Sequence, residues 1–399
     1  MLKIIIAPSG FKESLGAEES AEIIAKGIRK VLKDAEIVEM PLGDGGEGFT
    51  RTIIDATGGE IHKVSATNPV GERIESHFGT FTNDDGKKVA VLEMAAAAGL
   101  SLVPKDKRNP FATTTFGVGE LIKAALDAGA EKILLGCGDS GTNDGGAGAA
   151  QALGVKLLKS NGADIEQSGS GLNDLAKIDL SNRDERLGKV KIDVACNIKN
   201  ILCGAKGVAR VFGPQKGATA EQVEEMSDAL DKYAEIIRRD VGKDVAKMPG
   251  GGASGGMGAG LYALLGAQLH SRFDIIFKYF NLDEALKDAD LVITAEGGIN
   301  FQTPNGKIPS EVARRAKKYD LPVIAIAGTV NDGWEKNYEV GIDAMFSILS
   351  EPSTLEEAIE NAPELLEQCA ENVIRTVLIG GKLISNRTKS AIRKTAVCI

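Results

Sequence analysis

Residues 290–307 read D-L-V-I-T-A-E-G-G-I-N-F-Q-T-P-N-G-K. The apolar run Leu291 to Thr294 has the length of a buried strand, and the residues after it include three glycines, an acid, two asparagines and a lysine. Loops of this kind bind ligands when they follow the carboxyl ends of strands in open α/β sheets. We therefore expect a buried strand that ends in a functional loop.

Four more short apolar runs rich in Ile and Val have strand length. Helical patterns at 17–32, 311–319 and 355–379 separate several of them. Alternation of strands and helices predicts a parallel sheet covered on both faces, so the predicted fold class is α/β. The five predicted strands of this sheet are 3–7, 36–40, 291–294, 323–327 and 345–349.

The long middle of the chain has elements of its own. Because two of the five strands lie near the N-terminus and three lie beyond residue 290, the middle could be a second domain inserted into the first. Two domains laid end to end are the alternative, and 399 residues suffice for either. The predicted middle elements are strands 88–92 and 132–135 and helices 119–130, from 147, and 219–239.

Composition narrows the class of protein. A net charge of −9 without a basic run argues against nucleic acid as a partner. The five cysteines lack C-x-x-C spacing, which argues against a disulfide framework and a structural zinc site and fits a reducing cytoplasm. The apolar run at residues 2–7 is too short for a signal segment or a membrane span. Only three histidines are present, so carboxylates are the natural groups to handle a hydroxyl proton.

Three windows match G-x-G-x-x-G, at 43–48, 136–141 and 250–255, and each alone is a weak signal among 48 glycines. The second follows a predicted strand and precedes a predicted helix, but its loop contains Asp139 and Asp144. Two carboxylates repel a bare pyrophosphate and suit a magnesium–phosphate complex or a base, which favours phosphoryl transfer over hydride transfer. The alternative is that Asn143 and Asp144 cap the next helix.

Other candidate ligands for phosphate or metal follow the first strands. Asp44 and Glu47 come after the second strand, and Lys12 and Ser14 come after the first. Lys216 lies in a predicted turn, where it could contact an anion or be a solvated surface lysine. The glycine-rich segment 249–260 could bind an anion through its N–H groups or serve close helix packing.

Seven segments taken together resemble the bacterial glycerate kinase family of the glycerate 2-kinase type, in the family's order and over essentially the whole chain. They are A-P-S-G-F-K-E-S-L (7–15), G-D-G-G-E-G (43–48), E-M-A-A-A-A-G-L (93–100), R-N-P-F-A-T-T-T-F-G (108–117), T-N-D-G-G-A-G (142–148), V-F-G-P-Q-K-G-A (211–218) and T-A-E-G-G-I-N-F-Q-T-P-N-G-K (294–307).

This resemblance implies ATP-dependent, magnesium-assisted phosphorylation of glycerate to 2-phosphoglycerate. It also implies a flavodoxin-like parallel-sheet domain formed by both chain ends, residues 1–65 with 285–399, and a second α/β domain inserted at 66–284. In this hypothesis Asp44 and Asp144 orient the hydroxyl or ligate Mg²⁺, and Lys12 and Lys307 contact phosphates. Thr142, Asn143, Gln302 and Thr303 position the substrate, and the remaining candidate site residues are Ser14, Glu47, Lys216 and Glu296.

Four positions depart from the family's usual residues. Aspartate is usual at the positions of Ser9, Asn197 and Asn300, and arginine is usual at that of Gly298. The departures motivate two alternatives, a kinase of the same fold for another small hydroxy acid and a catalytically silent ligand-binding relative. A dinucleotide-dependent oxidoreductase fits less well, because acids occupy the second glycine-rich loop.

Overall fold

A computed structural model describes residues 1–11, 14–43 and 45–396, with side chains described up to residue 383. The chain divides into two compact units. The terminal unit consists of Met1–Leu42 with Asn281–Ile399, and the middle unit is Gly43–Phe280. The domain bounds expected from the sequence, 1–65 with 285–399 and 66–284, stay a prediction.

The strands of both units are numbered in chain order. They are β1 (Lys3–Ile6), β2 (Glu36–Glu39), β3 (Glu60–Thr67), β4 (Arg73–Thr82), β5 (Lys88–Glu93), β6 (Lys132–Gly136), β7 (Lys156–Leu158), β8 (Lys177–Asp179), β9 (Lys191–Cys196), β10 (Gln268–Ser271), β11 (Leu291–Ile299), β12 (Val323–Val330) and β13 (Ala344–Ser347).

The α-helices are numbered in the same way. They are α1 (Ala17–Arg29), α2 (Phe49–Thr57), α3 (Ala95–Ala98), α4 (Phe116–Asp127), α5 (Ala147–Ala152), α6 (Val208–Phe212), α7 (Ala220–Val241), α8 (Ala253–Gly260), α9 (Arg272–Tyr279), α10 (Leu282–Leu286), α11 (Ile308–Ala316), α12 (Leu355–Glu360) and α13 (Ala362–Ala396). No helix in the described part of the chain combines the length and apolar character that a membrane span requires.

The terminal unit contains a fully parallel sheet in the order β13-β12-β11-β1-β2. Counted along this unit the order is 2-1-3-4-5, the flavodoxin-like arrangement. The five strands predicted from apolar runs are therefore confirmed, as is the α/β fold class. Helices α1 and α13 pack closely on one another, since a Cβ on Gly27 would lie 2.5 Å from the carbonyl oxygen of Glu367.

Strand β11 is longer than the apolar run predicts. It continues through the glycine pair to Ile299, with Gly298 opposite Thr329 and Ile299 opposite Val330 of β12. The strands approach closely here, because a Cβ on Gly328 would lie 2.4 Å from the carbonyl oxygen of Gly297. The functional loop expected at 294–307 therefore begins at residue 300, and the residues before it belong to the sheet.

The middle unit contains a six-stranded sheet in the order β10-β9-β6-β5-β4-β3. The four strands from β10 to β5 are parallel, and β5, β4 and β3 pair antiparallel. The predicted strands 88–92 and 132–135 correspond to β5 and β6, and the predicted helices correspond to α4, α5 and α7. The β3–β4 hairpin was not predicted, because much of the outer strand β3 is exposed and lacks an apolar run.

Candidate functional site

The loops that follow β5 and β6 are joined by hydrogen bonds in the middle unit. The N–H of Leu100 donates to the carbonyl oxygen of Asp139 at 2.8 Å, and the N–H of Gly141 donates to that of Ala98 at 2.9 Å. The hydroxyl of Thr113 donates to the carbonyl oxygen of Gly141 at 2.9 Å. These bonds fix the loop after β6, where the predicted residues Thr142, Asn143 and Asp144 follow one another.

Asp144 is fully buried at this loop. Its carboxylate accepts hydrogen bonds from the N–H and the hydroxyl of Thr115, both at 2.8 Å, and from the N–H groups of Gly146 at 3.0 Å and Gly148 at 3.2 Å. Burial raises the pKa of the carboxyl, while the hydrogen bonds from Thr115 oppose that rise. The helix-capping alternative fits these bonds, since Gly146 and Gly148 stand at the start of α5. The catalytic and metal-binding roles of Asp144 stay predictions.

Lys216 is buried, with 4% of the residue exposed, so the alternative of a solvated surface lysine does not fit. Its ammonium donates to the hydroxyl oxygen of Ser140 at 2.7 Å and to the carbonyl oxygen of Thr142 at 2.8 Å. Burial lowers the pKa of Lys216 to about 7, and the negative charge of Asp144 acts in the opposite direction. The amine of Lys216 therefore changes its charge near neutral pH, and it lies beside Thr142, a predicted substrate-binding residue.

Polar atoms of the neighbouring side chains lack partners. Within the described residues, the hydroxyl of Thr142 and both amide atoms of Asn143 are buried without a hydrogen bond. The same holds for the phenol of Tyr233, which packs against Gly145. A buried polar group without a partner costs about 1–3 kcal/mol, so such groups indicate a place where a ligand or water binds. We call Ser140, Thr142, Asn143, Asp144 and Lys216 the polar cluster.

Two exposed acids lie on loops that contact one another. The N–H of Glu47 donates to the carboxylate of Asp139 at 3.1 Å, and Asp139 has a left-handed backbone with φ of 50°. Among the described residues, no group of three or more His, Cys, Asp and Glu side chains is placed to hold a metal ion. The predicted ligand Asp44 and the predicted phosphate contact Lys12 lie outside the described residues.

Sequence reasoning gave no role to Glu93, which is the last residue of β5. Its buried carboxylate accepts hydrogen bonds from the N–H groups of Gly48 at 3.1 Å and Thr50 at 2.7 Å. The pKa of this carboxyl is raised, because the effect of burial exceeds the opposing effect of the bonds from the two N–H groups. Glu93 thereby fixes the start of α2 beside β5. An acid that ends the apolar run K-V-A-V-L-E is the signal that could have revealed it.

In the terminal unit, the loop after β11 brings together Glu296 and Lys307. The carboxylate and the ammonium form an ion pair at 3.0 Å, and Lys307 also donates to the carbonyl oxygen of Gly298 at 3.2 Å. Thr303 is buried and its hydroxyl accepts from the N–H of Asn300 at 3.2 Å, while the side chain of Gln302 is exposed. Gln302, Thr303 and Lys307 of the four predicted residues therefore lie on the turn that follows β11, and Glu296, within β11, pairs with Lys307.

The loop after β1 runs beside β11 within the same unit. The N–H of Ser9 donates to the carbonyl oxygen of Ala295 at 2.8 Å. The hydroxyl of the predicted residue Ser14 donates instead to the carbonyl oxygen of Ile359 at 3.1 Å, at the end of α12. Ser14 thus has a structural partner, and its role toward phosphate stays a prediction.

The local backbone requires neither Gly298 of β11 nor Asn300 of the following loop, the two positions here that depart from the family's usual residues. Among the described residues, a Cβ on Gly298 would meet only the hydroxyl oxygen of Thr329, at 3.4 Å, which is ordinary contact. The side-chain oxygen of Asn300 accepts from the N–H of Gln302 at 2.8 Å, a bond that an aspartate would also form. The departures at these two positions therefore are not explained by the fold.

Comparison with known proteins identifies the family. The model of the glycerate kinase family matches residues 4–378. The chain belongs to the glycerate kinase family. The resemblance and the enzyme class expected from the sequence are therefore confirmed.

Relatives within the glycerate kinase family match over nearly their whole lengths. The glycerate kinase of Halalkalibacterium halodurans is 48% identical over 373 residues, which are 94% of this chain and 97% of that one. The glycerate 2-kinase of Escherichia coli K12 is 47% identical over 379 residues, 95% of this chain and 99% of that one. A crystal structure from Salmonella typhimurium LT2, assigned to glycerate kinase 2, is 47% identical, covers 96% of this chain and 99% of its own, and superposes with a TM-score of 0.81.

Proposed function

We propose that this enzyme transfers a phosphoryl group from ATP to glycerate and releases 2-phosphoglycerate. The observation that carries the proposal is the match, over at least 94% of this chain, to relatives named glycerate kinase and glycerate 2-kinase. The partners in this proposal are a small acid and a nucleotide in the cytoplasm, and the reaction needs neither nucleic acid nor a membrane.

The polar cluster is our candidate binding site for glycerate. Glycerate carries a carboxylate and two hydroxyls, and the unpartnered hydroxyl of Thr142 and amide of Asn143 can both donate to and accept from such hydroxyls. Protonated Lys216 supplies positive charge for an anion. We assign Asp144 to orienting the reacting hydroxyl through Oδ1, which accepts one hydrogen bond among the described residues, from Gly146; burial raises the pKa of this carboxyl, which favours proton acceptance.

The turn of the terminal unit is our candidate for phosphate contacts. The side chain of Lys307 is a third exposed, and its ammonium pairs with Glu296. It directly precedes α11, whose first N–H groups and helix dipole favour an anion. We assign Lys307 to a phosphate of the nucleotide, with Gln302 and Thr303 shaping the turn and with Ser14 and Lys12 as further predicted contacts.

The acids of the middle unit fit a magnesium ion that is bound mainly by phosphates. Such an ion keeps several waters and needs only one or two carboxylates, which Asp139 and Glu47 can provide from loops that contact each other. The oxygens of Asp144 already accept four hydrogen bonds, so in this proposal Asp139 and Glu47 are preferred to Asp144 as magnesium ligands, and Asp44 is kept as a ligand predicted from the sequence. When bound, Mg²⁺ would neutralise charge on the phosphates.

A second candidate function is phosphorylation of a different small hydroxy acid. Gly298 and Asn300 motivate it, since the fold does not require either residue. A panel of hydroxy acids assayed with ATP and Mg²⁺ separates the two functions, and higher kcat/KM for another acid than for glycerate would favour the second. A protein that binds ATP or glycerate tightly in calorimetry but transfers no phosphoryl group would be the silent relative.

A further inference from the structure

Arg108 is a half-buried arginine of the middle unit. Its Nε atom is buried without a hydrogen-bond partner, and its side chain forms no ion pair within the described residues. Other arginines of this unit are well paired, for example Arg186 with Asp184 and Asp127. A guanidinium presents five N–H donors and stays charged, so a buried donor left without an acceptor indicates a missing anion.

Arg108 lies next to the polar cluster. A Cβ on Gly217 would be 2.5 Å from the carbonyl oxygen of Arg108 and 2.8 Å from its Cβ, so Arg108 packs directly on the turn that follows Lys216. The ammonium of Lys216 in turn reaches Thr142 at 2.8 Å. Five residues after Arg108, the hydroxyl of Thr113 holds the carbonyl oxygen of Gly141 at 2.9 Å. Arg108, Lys216 and the loop after β6 therefore form one neighbourhood.

The charges of this neighbourhood leave room for an anion. Arg108 and Lys216 contribute positive charge. The acids of the loop are Asp139, whose carboxylate accepts from the N–H of Glu47, and buried Asp144, whose Oδ2 accepts from Thr115 and Gly148 and whose Oδ1 accepts from Gly146. The phenol of Tyr233 is the other titratable group that interacts with Asp144, and burial keeps it neutral by raising its pKa. A planar guanidinium binds a carboxylate through two parallel hydrogen bonds, a geometry that an ammonium does not match.

We propose that Arg108 binds the carboxylate of the hydroxy-acid substrate and thereby makes the enzyme select acids over neutral polyols. Lys216 adds a second positive charge, and Thr142 and Asn143 are left to bind the hydroxyls. This assignment rests on the proposed function, and it names the group that recognises the acid.

The test compares Arg108→Met and Arg108→Lys with the control Arg238→Met, which changes an exposed arginine of α7. Arg108→Met should raise the KM for glycerate about 100-fold or more, since charge-assisted bonds are worth roughly two factors of ten. The KM for ATP should stay within about threefold in all variants. Arg108→Lys should be intermediate, because it keeps the charge and loses the paired donors.

Two further readouts separate carboxylate binding from a structural role. Glycerol lacks the carboxylate, so the ratio of kcat/KM for glycerate to that for glycerol should fall in Arg108→Met by the factor that glycerate loses. Added guanidinium should restore part of the glycerate activity of Arg108→Ala. Equal losses on glycerate and glycerol, a rise in the KM for ATP instead, or an unchanged KM for glycerate would each overturn the assignment.

Calorimetry with glycerate keeps this inference distinct from the proposed function. If the wild-type enzyme phosphorylates no hydroxy acid, the proposed function fails. Arg108 is then tested by binding alone: glycerate that binds the wild type and not Arg108→Met supports the assignment. Equal binding to both proteins, or no binding to either, refutes it.

Discussion

The ammonium of Lys216 donates a hydrogen bond to the carbonyl oxygen of Thr142 at 2.8 Å, in a site where 4% of Lys216 is exposed. The bond connects a turn of the middle unit to the loop that follows β6. Because burial lowers the pKa of Lys216 to about 7, the charge of this site changes within the physiological pH range. We therefore expect the charge of the proposed acid-binding site to depend on the protonation of Lys216.

The pH dependence of kcat/KM should report the protonation of Lys216. Below about pH 7 the amine is charged and attracts an acid, and above it the amine is neutral, so kcat/KM for glycerate should fall as pH rises through this value. Initial rates from pH 5.5 to 9 measure the profile. Lys216→Met should show a low kcat/KM without this fall, and a wild-type profile that stays level to pH 9 would contradict the role of Lys216.

Replacing Asp144 by Asn should reduce both stability and turnover. The amide presents an N–H₂ group to donors that now bind a carboxylate, which should cost about 1–3 kcal/mol of unfolding free energy, and kcat should fall about 100-fold or more. The control is Thr115→Val, which removes one hydroxyl bond to Asp144 and leaves its carboxylate in place. It should lower stability but keep kcat within a few-fold. If Asp144→Asn retains full kcat, the catalytic assignment is wrong.

Thr142→Val should weaken substrate binding without weakening the fold. The hydroxyl of Thr142 is buried and has no hydrogen-bond partner within the described residues, so its replacement by a methyl group should leave the unfolding free energy unchanged or raise it by up to about 1 kcal/mol. The KM for glycerate should rise about tenfold for the loss of one hydrogen bond. Chemical denaturation and steady-state kinetics on the same preparation measure both effects. A clear loss of stability would mean that the hydroxyl has a structural partner.

Gly298→Arg should be tolerated by the fold. In the part of the chain that the structure describes, a Cβ at this position would meet only the hydroxyl of Thr329, at 3.4 Å, so the thermal midpoint should change by a few degrees at most. Gly328→Ala is the matched control on β12. Its Cβ would be 2.4 Å from the carbonyl oxygen of Gly297, so it should be clearly destabilising. With glycerate as the substrate, Gly298→Arg should keep or raise kcat/KM; a tenfold fall would favour a pocket adapted to another acid.

Sequence reasoning located the sheet of the terminal unit because continuous apolar runs mark strands that are buried on both faces. It stopped β11 at Thr294, since pairing of the glycine segment with β12 depends on close approach of two backbones that no apolar pattern records. The β3–β4 hairpin was not predicted, because an exposed outer strand needs no continuous apolar run.

The candidate site was less accessible to sequence reasoning than the fold. The segments around Thr142 and Lys307 could be found from acids, amides and lysines placed after strands. Three properties of the site depend on loops that are distant in sequence. They are the burial of Lys216, the lack of hydrogen-bond partners for Asn143 and for Nε of Arg108 among the described residues, and the hydrogen bonds from the start of α2 to Glu93. Such groups become visible only when the chain is folded.

The most direct test of the proposed function is to identify the product of the wild-type enzyme with ATP, Mg²⁺ and glycerate by ³¹P nuclear magnetic resonance. We expect ADP and 2-phosphoglycerate in equal amounts, with formation dependent on glycerate. No phosphorylated glycerate, or phosphorylation at the other hydroxyl, would contradict the proposed function.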